Sequence, residues 1–235
     1  MSDLRMLVII PAWNEEGSVA AVIAELRDAV PEADVLVVDD GSADATAELA
    51  RAAGATVLKL PYNLGVGGAM RLGYRYADER GYDIALQFDA DGQHDPAYIP
   101  ALVAELDRAD LVIGARFAGA GDYTVRGPRR WAMVMLAGAL SRLAGTRLTD
   151  TTSGMRCANR TVIGYFARNY PVEYLGDTIE TLVHVARRGL VVRQVPVAMR
   201  VRQAGTPSQS PAKAAIYLGR AFLVLLLALL RRPGT

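Results

Sequence analysis

Gln87-Phe88-Asp89-Ala90-Asp91-Gly92-Gln93-His94-Asp95-Pro96 is the stretch on which the fold turns. It follows the apolar run Ile84-Ala85-Leu86, which reads as the end of a buried strand, and it leads into Pro96, a favoured first residue of a helix. Asp89, Asp91 and Gln93 therefore stand where a strand passes into a loop. In an open α/β sheet that carboxyl edge is where ligands bind. Two carboxylates one residue apart, with a third oxygen donor beyond them, suit Mg²⁺ or Mn²⁺, which prefer oxygen and leave positions for water and phosphate. A strand-end turn whose aspartates cap the next helix would carry the same residues. The flanking chain separates the two.

Upstream, Met6-Leu7-Val8-Ile9-Ile10 is a continuous apolar run, the pattern of a strand buried on both faces. Pro11-Ala12-Trp13-Asn14-Glu15-Glu16 ends it, and Val19, Val22, Ile23 and Leu26 follow at helical spacing. Val35 to Val38 is a second strand, running into Asp39-Asp40-Gly41-Ser42, with Asp44 as the expected N-cap of a helix that Gly54 stops. Thr56-Val57-Leu58 is a third short strand, Asp83 to Phe88 a fourth and Leu111 to Gly114 a fifth. The turn Asn63-Leu64-Gly65-Val66-Gly67-Gly68 opens a helix through Tyr76, and Tyr98 to Leu106 is helical. Strand and helix alternate over this half, which predicts a mostly parallel sheet with helices on both faces. Met70 stands where a dinucleotide fingerprint needs glycine, and no Gly-Lys-Ser/Thr phosphate loop occurs.

Downstream the character changes. Residues 115–128 are rich in Gly and Arg and read as a loop. Arg129 to Leu143 is a helix with Met133, Leu136, Leu140 and Leu143 on one stripe. Thr149 to Arg160 reads as irregular and polar, Asp177 to Arg188 as a helix, and Leu190 to Val197 as a strand. From Ala214 to Leu230 the chain is apolar except for Arg220, after which ten apolar residues precede Arg231-Arg232. Those ten make about 15 Å of helix, half of the ~30 Å hydrocarbon core. The segment suits a helix lying in the membrane interface; a buried terminal helix or a subunit contact would look similar.

Bulk composition excludes other classes. With 235 residues, 51% hydrophobic and 22% charged, the chain is globular. A net charge of +1 gives no general affinity for nucleic acid. Cys157 is the sole cysteine and His94 and His184 the only histidines, so neither an intramolecular disulfide nor a Cys or His zinc cluster is expected, and a reducing compartment fits. The chain opens directly on a strand, without the basic and apolar segments of a signal peptide.

Three polar turns then stand at the ends of three parallel strands: Pro11 to Glu15, Asp39 to Ser42, and Asp89 to Asp91. Right-handed crossovers bring them to one sheet edge. Several carboxylates gathered there are costly without bound positive charge, which favours a metal and diphosphate ligand over capping. At this point the residues carry a resemblance. Ile9-Ile10-Pro11-Ala12-Trp13-Asn14-Glu15, Val37-Val38-Asp39-Asp40-Gly41-Ser42, Asn63-Leu64-Gly65, Asp89-Ala90-Asp91-Gly92-Gln93 and Gly114-Ala115-Arg116 resemble family 2 glycosyltransferases of the GT-A fold. Asp150-Thr151-Thr152-Ser153-Gly154-Met155-Arg156 resembles the polyprenyl-phosphate branch, which includes dolichol-phosphate mannosyltransferase.

The resemblance implies a GT-A domain over residues 1–209, with a nucleotide-sugar half (1–114) and an acceptor half (115–209), followed by the apolar helix 210–235. It implies that Pro11, Ala12, Trp13, Asn14, Glu15, Asp39, Asp40, Gly65 and Ala90 line the nucleotide. Asp89, Asp91 and Gln93 would hold Mg²⁺ or Mn²⁺ and the donor diphosphate. Arg116, Arg129, Arg130 and Arg202 would face phosphates, and Ser153 and Arg156 would lie on the acceptor side. Trp13 stands where a smaller aromatic or Thr is usual, leaving UDP and GDP both open. The implied activity is inverting transfer of a hexose or N-acetylhexosamine from a nucleotide-sugar to a polyprenyl phosphate, by a peripheral protein on the cytoplasmic side of the membrane. A phosphate acceptor needs little base help, whereas a sugar hydroxyl in a glycan or glycolipid would need one, and Asp150 is the residue placed for it. A nucleotide-sugar-binding module without turnover is the remaining reading.

Overall fold

The computed structural model describes residues 4–116, 128–171 and 177–200, without the side chains of 128–133 and 177. The first half alternates β1 (Met6–Ala12), α1 (Val19–Ala29), β2 (Asp34–Asp39), α2 (Thr46–Ala52), β3 (Thr56–Lys59), α3 (Val66–Glu79) and β4 (Ile84–Gln87). A 3-10 turn at Pro96–Tyr98 continues as α4 (Ile99–Glu105), followed by β5 (Leu111–Ala115). The second half contributes α5 (Pro128–Ala144), β6 (Arg156–Asn159), α6 (Arg160–Asn169), α7 (Asp177–Arg187) and β7 (Val192–Pro196).

The strands form one sheet in the order β3-β2-β1-β4-β6-β5-β7, so both halves of the chain share it. β1 runs parallel to β2 and β4, β2 to β3, and β5 to β7. Only β6 is reversed, pairing antiparallel with β4 on one side and β5 on the other. This corrects the reading of Thr149 to Arg160 as irregular. Arg156 to Asn159 is an interior strand, and Arg160 opens a helix that the sequence pattern had not resolved. Its signal was Asn159, whose side chain accepts the Val162 N–H as an N-cap. Asp44 also acts one step earlier than expected: its carboxylate accepts the Thr46 N–H, and Ala45 is the N-cap of α2.

The strand period of two divides β1 between two cores. Leu7 and Ile9 face α3, α6 and α7, packing among Met70, Tyr74, Phe166 and Leu182. Met6, Val8 and Ile10 face α1 and α4, among Ile23, Leu26, Ile99 and Leu102. Each such side chain buried contributes about 1.5–3 kcal/mol before entropy is counted. Residues 210–235, and with them the expected interface helix, lie outside the described residues. Among the described residues no helix is long and apolar enough to cross a membrane.

Candidate active site

Because β2, β1 and β4 are parallel neighbours, their carboxyl ends open on the same edge. The first two turns are stitched together there. The Asn14 N–H donates to Ser42 Oγ (3.0 Å), the Ala43 N–H to Asn14 Oδ1 (3.0 Å), and the Glu15 N–H to Thr46 Oγ1 (2.9 Å). Glu15 itself accepts from Ser18 Oγ at 3.0 Å. Asn14 has φ of 53°, the left-handed region that its short amide side chain tolerates. The reversal leaves the Trp13 ring half exposed beside this edge, while Ala12 is buried and passes its carbonyl to the Asp40 N–H at 2.8 Å.

The two adjacent aspartates have different work. Both Asp40 oxygens turn inward, accepting the N–H groups of Leu64 (2.7 Å) and Gly65 (2.8 Å), so Asp40 braces the glycine turn. Burial pushes its carboxyl up, those two N–H groups pull it down, and the neighbouring Asp39 adds to the rise. Asp39 is fully buried. Its Oδ1 accepts the Ser42 N–H, and its Oδ2 has only Lys59 Nζ at 3.5 Å and no hydrogen bond among the described residues.

At the third turn the Asp89 side chain is 37% exposed and its Oδ2 lies 3.0 Å from His94 Nε2. Asp91 Oδ1 accepts the Gln93 N–H (3.0 Å), which closes the turn and leaves the Gln93 side chain partly exposed. Gly154 arrives from the 150–155 loop so closely that a Cβ on it would sit 2.4 Å from Asp89 Oδ2. Among the described residues no three His, Cys, Asp or Glu side chains form a group that could by itself hold a metal ion. The donors at this turn are carboxylate oxygens, the set that a hard divalent cation takes when water and phosphate complete its shell. The residues thus fit Mg²⁺ or Mn²⁺ in an open site.

The 150–156 loop places Asp150, Ser153 and Arg156, and with them Arg116, which was expected to face phosphate, in contacts within the fold. Asp150 is fully buried and gripped by Arg116, with Nε at 2.6 Å from Oδ2 and Nη2 at 2.9 Å from Oδ1. The Arg116 and Thr152 N–H groups also donate to it. Burial alone would raise its carboxyl; the Arg116 hydrogen bonds and charge outweigh that and hold it below the ordinary range. Both oxygens of this buried carboxylate are thus occupied by donors. Ser153 is fully buried, and its hydroxyl accepts the Met155 N–H instead of facing an acceptor. Arg156 is 1% exposed and donates to the carbonyls of Thr151, Ser153 and Thr178 and to Thr181 Oγ1. It clamps the loop to α7 and presents no free fork to a phosphate. Gln194 on β7 completes the frame, donating to the Asp150 carbonyl at 2.7 Å.

Arg129 and Arg130 stand in the first turn of α5, with side chains outside the described residues, as is Arg202 entirely. Two residues at the heart of the site escaped the sequence reading. His94 was weighed only as a metal ligand, and Gly154 only as part of a motif. The signal for Gly154 was a glycine inside a polar run with no helix or hairpin to stop.

The profile of Glycosyl transferase family 2 matches residues 7–165, which include all three turns and the 150–156 loop. The chain is 36% identical over 215 residues to the undecaprenyl-phosphate mannosyltransferase of Micrococcus luteus, covering 88% of each protein. It is 31% identical over 216 residues to the polyprenol monophosphomannose synthase of Mycolicibacterium smegmatis, covering 88% of this chain and 81% of that one. Glucosyl-3-phosphoglycerate synthase from Mycobacterium tuberculosis, in complex with Mg²⁺ and uridine diphosphate, superposes with a TM-score of 0.72 at 25% identity, over 97% of this chain and 80% of that one. The same synthase with phosphoglyceric acid gives 0.74 at 23% identity, with the same coverage, a likeness of fold alone.

Proposed function

The chain belongs to glycosyl transferase family 2 and has its GT-A fold, and from that premise we propose that it transfers a hexose or N-acetylhexosamine from UDP- or GDP-sugar to a polyprenyl phosphate. The named activities of the Micrococcus and Mycolicibacterium relatives support that acceptor. The observation that carries the reading is the state of Asp150. The carboxylate beside the acceptor motif is locked by Arg116, so it takes no proton from a hydroxyl. A phosphate monoester, with its second pKa near ~6, arrives already anionic and needs no such base.

In this reading the base and ribose lie along Pro11 to Glu15 and the turn that begins at Asp39, with Trp13 as an aromatic surface. Asp40 and Gly65 act indirectly, by holding the glycine turn. Asp89, Asp91 and Gln93 hold Mg²⁺ or Mn²⁺, which when bound neutralises the charge developing on the departing diphosphate. A phosphate oxygen of the acceptor forms the new bond to the sugar C1 as the bond from C1 to the diphosphate oxygen breaks. The electron pair leaves with the nucleoside diphosphate, and the anomeric centre inverts. Arg116 and Asp150 hold the loop that carries Gly154 against Asp89. Arg129, Arg130 and Arg202 are proposed to face phosphate. The protein is proposed to act peripherally, at the cytoplasmic face of the membrane, with residues 210–235 in the interface.

The test is incubation of the purified chain with Mg²⁺ or Mn²⁺, radiolabelled UDP- and GDP-sugars in turn, and a polyprenyl phosphate. Label is expected in the organic phase and is expected to vanish with EDTA. No organic label, but nucleoside diphosphate released once a glycan acceptor is added, would replace this reading with a hydroxyl-acceptor transferase. Nucleotide affinity without any turnover would leave a binding module.

A further inference from the structure

Resting on the metal and diphosphate reading above, we propose that His94 is the positioning residue of the site: it sets the rotation of the Asp89 carboxylate toward the cation and diphosphate. An aspartate at a strand end rotates broadly about its terminal torsion, and a metal ligand must not. His94 and Gly154 both stand close to the Asp89 carboxylate. His94 Nε2 stands 3.0 Å from Oδ2, and a Cβ on Gly154 would come 2.4 Å from the same oxygen, so a side chain there would displace the carboxylate.

The imidazole is placed for this contact and not merely stored in the core. His94 is 3% exposed, and its Nδ1 has no hydrogen-bond partner among the described residues. Burying a polar nitrogen unpaired is unfavourable and calls for a reason. Among the described residues the only polar contact of the ring is Asp89, whose carboxylate accepts from Nε2. The rest of the residue is fixed by packing and backbone. The ring lies against Phe88, with centroids 5.5 Å apart. His94 forms an antiparallel bridge with Met199, and the Arg200 N–H donates to the Gln93 carbonyl at 2.9 Å. A donor on so rigid a mount orients whatever it bonds. Residues that orient a metal ligand without touching the metal change affinity by about 10–100-fold when removed.

The test separates orientation from core filling. His94→Leu keeps apolar volume and removes the donor; His94→Gln keeps an N–H at the reach of Nε2. Mn²⁺ binding to the full chain is followed by electron paramagnetic resonance with saturating UDP and, separately, GDP, and folding by thermal melting. The expected result is Mn²⁺ binding weakened about 10–100-fold in His94→Leu and largely kept in His94→Gln. With Asp89→Asn as background, His94→Leu is expected to add no further loss. Should His94→Leu fail to fold, His94→Asn, whose amide is too short to reach Asp89, takes its place. Wild-type binding in His94→Leu, equal losses in the Leu and Gln variants, or full additivity with Asp89→Asn would overturn the role of His94 alone. Absence of Mn²⁺ binding by the wild-type chain with either nucleotide would overturn the metal reading and this inference together.

Discussion

Asp150 and Arg156 illustrate how, at the residue scale, identical chemistry takes opposite roles by environment. In the sequence each is a charged residue in an acceptor-like motif. In the fold each is buried, with its polar atoms committed to holding the loop. A consequence for Asp150 is measurable. Its carboxyl in the folded protein titrates below the ordinary value near ~3.9. Its contribution to stability is therefore fully present above that ordinary value and is lost as pH falls through the lower, folded one. Asp150→Asn breaks a buried pair and should lower unfolding free energy by about 3 kcal/mol at pH 7. In urea titrations the gap between wild type and variant should shrink as pH falls below about 4. A gap unchanged at acid pH would remove the ion pair as its cause.

Elements were legible where their pattern was long and their partners alike. β1 and α1 were read with the right buried faces because continuous apolar runs and helical spacing report burial directly. β6 was not, since a four-residue strand that begins with Arg156 and ends with Asn159 looks polar, and only four backbone and hydroxyl acceptors make a buried guanidinium tolerable there. Helix placement on the sheet depends on an equally local detail. A Cβ at Gly73 of α3 would come 2.4 Å from Ile9 Cγ2 on β1. Alanine there gains about 1 kcal/mol of helix propensity, but overpacking costs about 1–3 kcal/mol, and Ile9 is fully buried on an interior strand. Gly73→Ala should thus lower the urea midpoint with an unchanged m-value. A raised midpoint would mean that α3 can slide along β1.

Over the whole molecule, one sheet carries both halves of the chain, and β6 of the second half is inserted between β4 and β5 of the first. Cys157 lies on that strand, fully buried, and burial pushes its thiol up to about 12. A thiol reagent should leave the native protein unlabelled and modify it in step with loss of helical signal as denaturant is added. Labelling well before that transition would show that the β6 region opens separately. The alternation of strands and helices over the first half, the two-sided core and the gathering of three polar turns at one edge followed from the linear sequence, because period and strand direction are local properties that right-handed crossovers convert into position. The reversed β6, the inward turn of Asp40, the capture of Asp150 by Arg116 and the grip of His94 and Gly154 on Asp89 did not follow. Each is a contact between residues distant in the chain or a choice of side-chain rotation, and only the tertiary packing around the site decides which atoms meet.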